Sequence, residues 1–246
     1  MCFTQSMSFS IGFIGIVASI ILYINNYYYA SIGILYFSLM EIIQGFQYFV
    51  IDKCDNYINE ILTYIGYLHI CFQPVFISIW LFEFINNKKI NLNYLKLILG
   101  ICIAGGILLA SRIFMINSNT LCNTNQEPLC GKKTCSLSGK YHIVWNIRLR
   151  APGTYSWTPS ISLHFFLLCI PYIILGILLN NYKVILLALL TVLTPCILYF
   201  SMVYYYNFNT NKWSFDNNNI HEIGSIWCIL FIPQIIITML LLFKVN

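Results

Sequence analysis

The chain has 246 residues, 59% of them hydrophobic and only 9% charged, with a formal net charge of +5. A soluble domain carries roughly 25% charged residues, so this composition excludes a soluble globular protein and points to an integral membrane one. The cations are spread thinly over the loops, with no polybasic run or basic–aromatic patch of the kind that grips nucleic acid.

The first cation is Lys53. The start therefore lacks the positive region of a cleavable signal peptide, and the first apolar segment reads as a retained span. A span needs about 20 apolar residues, and seven segments answer to that: 8–24, 28–51, 58–84, 95–116, 160–179, 184–205 and 223–243. The sequence thus predicts an all-α fold: one integral domain over 1–246, a bundle of seven transmembrane helices. Most breaks are short and polar, while 117–159 and 206–222 are longer. No Asn-x-Ser/Thr sequon occurs, so N-glycosylation is not expected.

Seven spans place the termini on opposite sides. One side holds the N-terminus, the "DKCDN" turn and both longer loops. The other holds Lys88, Lys89, Lys96, Lys183 and Lys244 close to span ends, which the positive-inside rule reads as cytoplasmic. Cysteine points the same way. Cys54, Cys122, Cys130 and Cys135 all lie on the first side and read as two disulfides with three possible connectivities. Disulfides require an oxidising compartment, so the N-terminus and the 117–159 loop are expected to be lumenal or extracellular. Zinc is the rival reading, but no Cys-x-x-Cys is present. The intramembrane cysteines read as small packing residues, and Cys2 is left over.

Polar residues inside spans carry the functional signal, because each is costly at depth unless partnered or beside water. Glu41 precedes Asp52 by eleven residues, about 16 Å along a helix, and His69 lies at a similar depth in the third span. Spans joined by a short loop are usually neighbours, so Glu41 and His69 can meet. Ser38, Glu41, Gln44 and Tyr48 share one face, as do His69 and Gln73. Pro74 removes a helical N–H and frees a carbonyl one turn back. Arg112, His142, His164, His221 and Glu222 all fall towards the same, outer side. Glu83 alone stands at the opposite end, where it can snorkel beside Lys88 and Lys89.

These residues predict a polar pocket open to the lumenal side, floored by His69 and Gln73 and completed from above by His142 and Glu222. No span contains a lysine for a retinal Schiff base, and there is no Gly-x-Ser-x-Gly, His-Glu-x-x-His or phosphate loop. Glu41, His69 and His142 can hold zinc or another divalent metal, or run acid–base chemistry near neutral pH. The leading expectation is a membrane enzyme acting on a lipid-like substrate, with Glu41, His69, Gln73, His142 and Glu222 as its site. A proton or ion channel or transporter using Glu41 and His69 is the alternative. A receptor or assembly scaffold is the third reading, in which the buried pairs only tie helices together.

Several elements resemble an uncharacterised family of polytopic membrane proteins known from bacteria, fungi and large DNA viruses. Its members begin Met-Cys-Phe/Trp-Ser, matched here by "MCFT" with Thr4 departing. The other matches are "LMEIIQ", "DKC", "YLHICFQP", "PLCGKKTCSLSGKYHIVW" and "IWC". The resemblance implies that Cys2, Glu41, Asp52, Cys54, His69, Gln73, Cys122, Cys130, Cys135, His142 and Glu222 belong to the family pattern. It implies no activity, and it does not extend to Arg112, His164 or His221.

Overall fold

A computed structural model describes residues 4–85, 88–114, 121–122, 129–139, 142–151, 160–178, 182–189, 204–207, 212–215 and 231–243. The described chain is mostly helical. Helices α1 (Gln5–Ile24), α2 (Tyr28–Gln47), α3 (Tyr57–Phe82) and α4 (Lys88–Ala110) come first, followed by a 3-10 turn over Ser111–Ile113. Among the described residues four stretches are long and apolar enough to cross a membrane: Gln5–Ile24, Tyr28–Gln47, Tyr57–Phe82 and Leu92–Ile113.

Their ends follow local chemistry. Thr4 caps α1 by accepting from Met7 N–H at 3.4 Å, and Asn56 caps α3 by accepting from Ile58 N–H at 2.9 Å. The α1–α2 turn passes through Asn26 in the left-handed region (φ 63°), a conformation asparagine tolerates better than most residues. α2 begins at Tyr27 with no side-chain cap of its own. Glu83, at the far end of α3, supplies one instead: its Oε2 accepts from Tyr29 N–H at 2.9 Å and Ala30 N–H at 3.4 Å. A carboxylate is favoured at a helix N-terminus, so Glu83 is turned towards the start of α2. Within the membrane α1 and α2 are joined by reciprocal bonds, Ser19 Oγ to Ser31 O at 3.0 Å and Ser31 Oγ to Ser19 O at 2.9 Å. Small polar residues of this kind let helix backbones approach and hydrogen-bond across the contact.

The later helices are shorter. α5 (Ser160–Tyr172) contains Pro171 and passes into a π-helical segment, Ile173–Leu178, as expected where a proline N–H is missing from the ladder. α6 (Tyr182–Ala188) and α7 (Phe231–Phe243) are the described parts of the sixth and seventh expected spans. A strand at Tyr204–Asn207, paired with Lys212–Phe215, begins before the end expected for span six. Cys2, His221 and Glu222 lie outside the described residues.

The 117–159 loop holds structure that apolar-run counting does not reveal. β1 (Cys135–Ser138) and β2 (Ile143–Asn146) form an antiparallel hairpin, with Ser136 opposite Trp145. Ile143, Trp145, Ile147 and Leu149 are fully buried. They form an outer core with Met40, Tyr67 and Leu109, separate from a larger one built around Leu22, Ile34, Trp80 and Ile98. The hairpin is therefore a lid packed onto the outer ends of α2, α3 and α4.

Candidate functional site

Polar residues on α2 and α3 are buried: Ser38, Glu41, Gln44 and Gln47 on α2, and Asn59, Thr63, His69 and Gln73 on α3, while Tyr48 is half-buried. The face divides by depth.

The outer half is a latch for the lid. Trp145 Nε1 donates to Gln47 Oε1 at 3.1 Å, and Gln47 Nε2 donates to Leu62 O at 2.9 Å. Asn59 Nδ2 donates to Val50 O and Ser136 O, while its Oδ1 accepts from Ser136 N–H at 2.7 Å. Thr63 Oγ1 and Ser136 Oγ share a bond at 2.7 Å. Asp52 takes a left-handed turn (φ 64°) and accepts from both the N–H and the hydroxyl of Ser138. Cys54 is bonded to Cys135 and Cys122 to Cys130, which settles one of the three connectivities. Outside them Lys133 donates to the exposed Asp55, holding that carboxyl below the usual carboxylate range.

His142 belongs to this lid and not to the space above His69. Its Nδ1 accepts from Ile143 N–H at 2.7 Å and lies 3.5 Å from Tyr48 Oη. Burial pushes its imidazole from the usual 6.5 down to about 4. The folded chain thus holds His142 neutral, whereas the unfolded chain protonates it below about 6.5. Stability is complete above that pH and falls as pH drops from about 6.5 towards about 4, by up to about 3 kcal/mol. Melting temperatures across that window should show a His142→Gln variant with a distinctly shallower loss. An unchanged slope would remove this account of the residue.

Arg112 is also structural. It is buried, and its Nε and Nη2 donate to Arg150 O at 2.9 and 2.7 Å. His164 answers the proline: Pro74 cannot donate to Ile70 O, and His164 Nε2–H does so from α5 at 2.9 Å. That bond ties α5 to α3.

His69 remains at the inner half. Its ring stacks on Tyr36 at 3.8 Å with an interplanar angle of 11°, and Phe76 stacks on Tyr36 at 3.6 Å and 8°. His69 and Phe76 are two turns apart on α3, so Tyr36 is inserted between them, with its hydroxyl donating to His69 O. His69 is 8% exposed, and its buried Nε2 has no hydrogen-bond partner among the described residues. The expected direct pairing with Glu41 is not formed at that nitrogen. Glu41 and Gln44 are buried on α2, and Gln73 is buried on α3 with His69.

The expected metal set is not gathered in one place. Among the described residues no three His, Cys, Asp or Glu side chains come together to hold an ion. His142 accepts from Ile143 N–H in the hairpin, while His69 is stacked on Tyr36 between α2 and α3. On the disulfide-bonded side, Trp145 lies over the end of the α2–α3 face and bonds Gln47.

The lid–latch pairing joins "DKC" to "CSLS" and "FQY" to "HIVW", and a single family model matches the chain over residues 6–246. The chain belongs to DUF5765, a family of unknown function. No curated protein and no solved structure matches it. In this DUF5765 chain Asp52, Cys54, Cys122, Cys130, Cys135 and His142, all part of the motif pattern, serve the lid. Glu41, His69 and Gln73 sit beneath it. Sequence reasoning passed over Tyr36, Gln47 and Asn59. Gln47 and Asn59 carried a usable signal, being uncharged polar residues near the outer ends of adjoining apolar helices, in register with the face already noted.

Proposed function

We propose that the chain is a seven-span membrane enzyme with its N-terminus and lid on the oxidising, lumenal or extracellular side, acting on a lipid-like substrate at His69. The observation that carries this reading is the buried His69 Nε2 without a hydrogen-bond partner among the described residues. A buried polar atom in that state calls for a water, a ligand or a catalytic role. The imidazole is the general base, taking a proton from a substrate hydroxyl or from water. Glu41 is the second acid–base group and Gln73, one turn along α3, orients the substrate. Glu222 is the further group that the sequence assigns to this site. With the lid closing the outer end, the substrate enters sideways from the bilayer, which favours an amphipathic molecule over a water-soluble one.

The test is comparative lipid mass spectrometry of membranes carrying wild-type protein or His69→Gln, at matched folded protein levels. A lipid conversion present with wild type should fall by about 100-fold or more in the variant, the usual weight of a general base. Equal conversion by both would sink the assignment.

Proton or ion conduction is the second reading. It is favoured by Trp80 Nε1, Gln234 Nε2 and Thr238 Oγ1, which are buried and have no hydrogen-bond partner among the described residues. These atoms add polar groups towards the inner half, on α3 and α7. Proton flux in liposomes that disappears in Glu41→Gln would select this reading over the enzyme.

A further inference from the structure

The lid carries a basic edge whose height relative to the membrane is fixed by Arg112. This arginine is the penultimate residue of the apolar stretch Leu92–Ile113, so it marks where that helix leaves the hydrocarbon. Its guanidinium donates twice to Arg150 O, and Arg150 N–H donates back to Arg112 O at 2.8 Å. Arg150 is thereby sewn to the end of that apolar stretch.

The adjoining backbone decides which side chains face outward. Ile147 and Leu149 are fully buried, so by the alternation of extended chain Arg148 and Arg150 point away from the lid, and both are exposed. Gly131 N–H donates to Ile147 O at 2.8 Å, and Arg148 N–H donates to Thr134 Oγ1 at 3.1 Å. These bonds lay the exposed Lys132 and Lys133 alongside Arg148. Lys133 is engaged by Asp55. Lys132, Arg148 and Arg150 have no acidic partner among the described residues.

A merely solvated face would have no reason to be held at this height. Guanidinium groups bind phosphate through paired N–H donors. A cation near an anionic bilayer surface gains about fivefold in association, and the gain fades within a Debye length. Phe114, 62% exposed and two residues beyond Arg112, supplies an apolar contact at the same level, as interfacial aromatics do.

We propose that Lys132, Arg148 and Arg150 form a binding surface for anionic phospholipid headgroups in the leaflet on the disulfide-bonded side, seating the lid on the bilayer. This is independent of the chemistry assigned to His69.

The experiment uses the full chain in nanodiscs of phosphatidylcholine mixed with phosphatidylglycerol, with retained lipid counted by native mass spectrometry. Wild type should retain phosphatidylglycerol in excess of its share of the bilayer. Each cation removed among Lys132→Gln, Arg148→Gln and Arg150→Gln should lower that excess by about fivefold, with melting in pure phosphatidylcholine unchanged. If the triple variant does not fold, Arg148→Gln alone is read for its single fivefold step. No excess in wild type, or an undiminished excess in the variants, overturns the proposal. So does full displacement of phosphatidylglycerol by millimolar inorganic phosphate, which would mark a site for free anions.

Discussion

Replacing Cys54 and Cys135 together with serine is expected to destabilise the folded chain by up to about 4.5 kcal/mol, the loop-closure value for a bond spanning 81 residues. The same relation gives about 2.5 kcal/mol for Cys122–Cys130, which spans only 8. Both figures are upper bounds here, since spans that stay helical in a bilayer leave the unfolded chain less freedom than the relation assumes. The order between them survives that reduction, because of the two disulfides it is Cys54–Cys135 that ties the lid to the α2–α3 turn. Thermal melting of the two double variants in one detergent checks it. A Cys122→Ser/Cys130→Ser protein that melts as low as the other would show that the long closure contributes nothing special.

The second large effect is expected at Asn59. It is fully buried and uses both ends of its amide: Nδ2 towards Val50 O and Ser136 O, Oδ1 from Ser136 N–H and Thr63 Oγ1. Val50 O and Ser136 O have other donors, from Lys53 N–H and Asp52 N–H. Ser136 N–H relies on Asn59. Asn59→Ala should therefore cost about 3 kcal/mol, one orphaned buried N–H plus the lost bonds. Asn59→Asp should cost at least as much. It keeps the acceptor but turns a carboxylate oxygen towards two carbonyls in a buried site. Melting temperatures for the pair separate this account from simple cavity formation, in which the nearly isosteric aspartate would be the milder change.

The apolar runs were legible because a bilayer imposes one rule on any spanning helix, and α1 to α4 follow it closely. Their polar faces were legible for the same reason, since Glu41, His69 and Gln73 stand out against hydrocarbon at helical spacing. What sequence could not assign was the partner of each group. His164 and Pro74 are ninety residues apart in sequence, and only the packing of α5 on α3 shows that one satisfies the carbonyl the other exposes. Glu83 looked like an interfacial acid because its donors are the backbone N–H groups of Tyr29 and Ala30, which no side-chain pattern reveals. The hairpin escaped for a different reason. Its strands are four residues long and take their stability from Trp145 and Ile143 packing on distant helices, so their local pattern is weak.

The long disulfide also dictates an order of biogenesis. Cys54 is synthesised well before Cys135, and α3 and α4 must both be threaded into the bilayer before the partner cysteine emerges. In that interval Cys122 and Cys130 arrive first, so the earliest thiols available to Cys54 are the wrong ones. A chain oxidised as it is made would collect Cys54–Cys122 or Cys54–Cys130 bonds that leave β1 undocked. Correct maturation therefore belongs to a compartment that can exchange disulfides as well as form them, and the yield of latched protein should depend on thiol–disulfide isomerase activity where the chain is inserted.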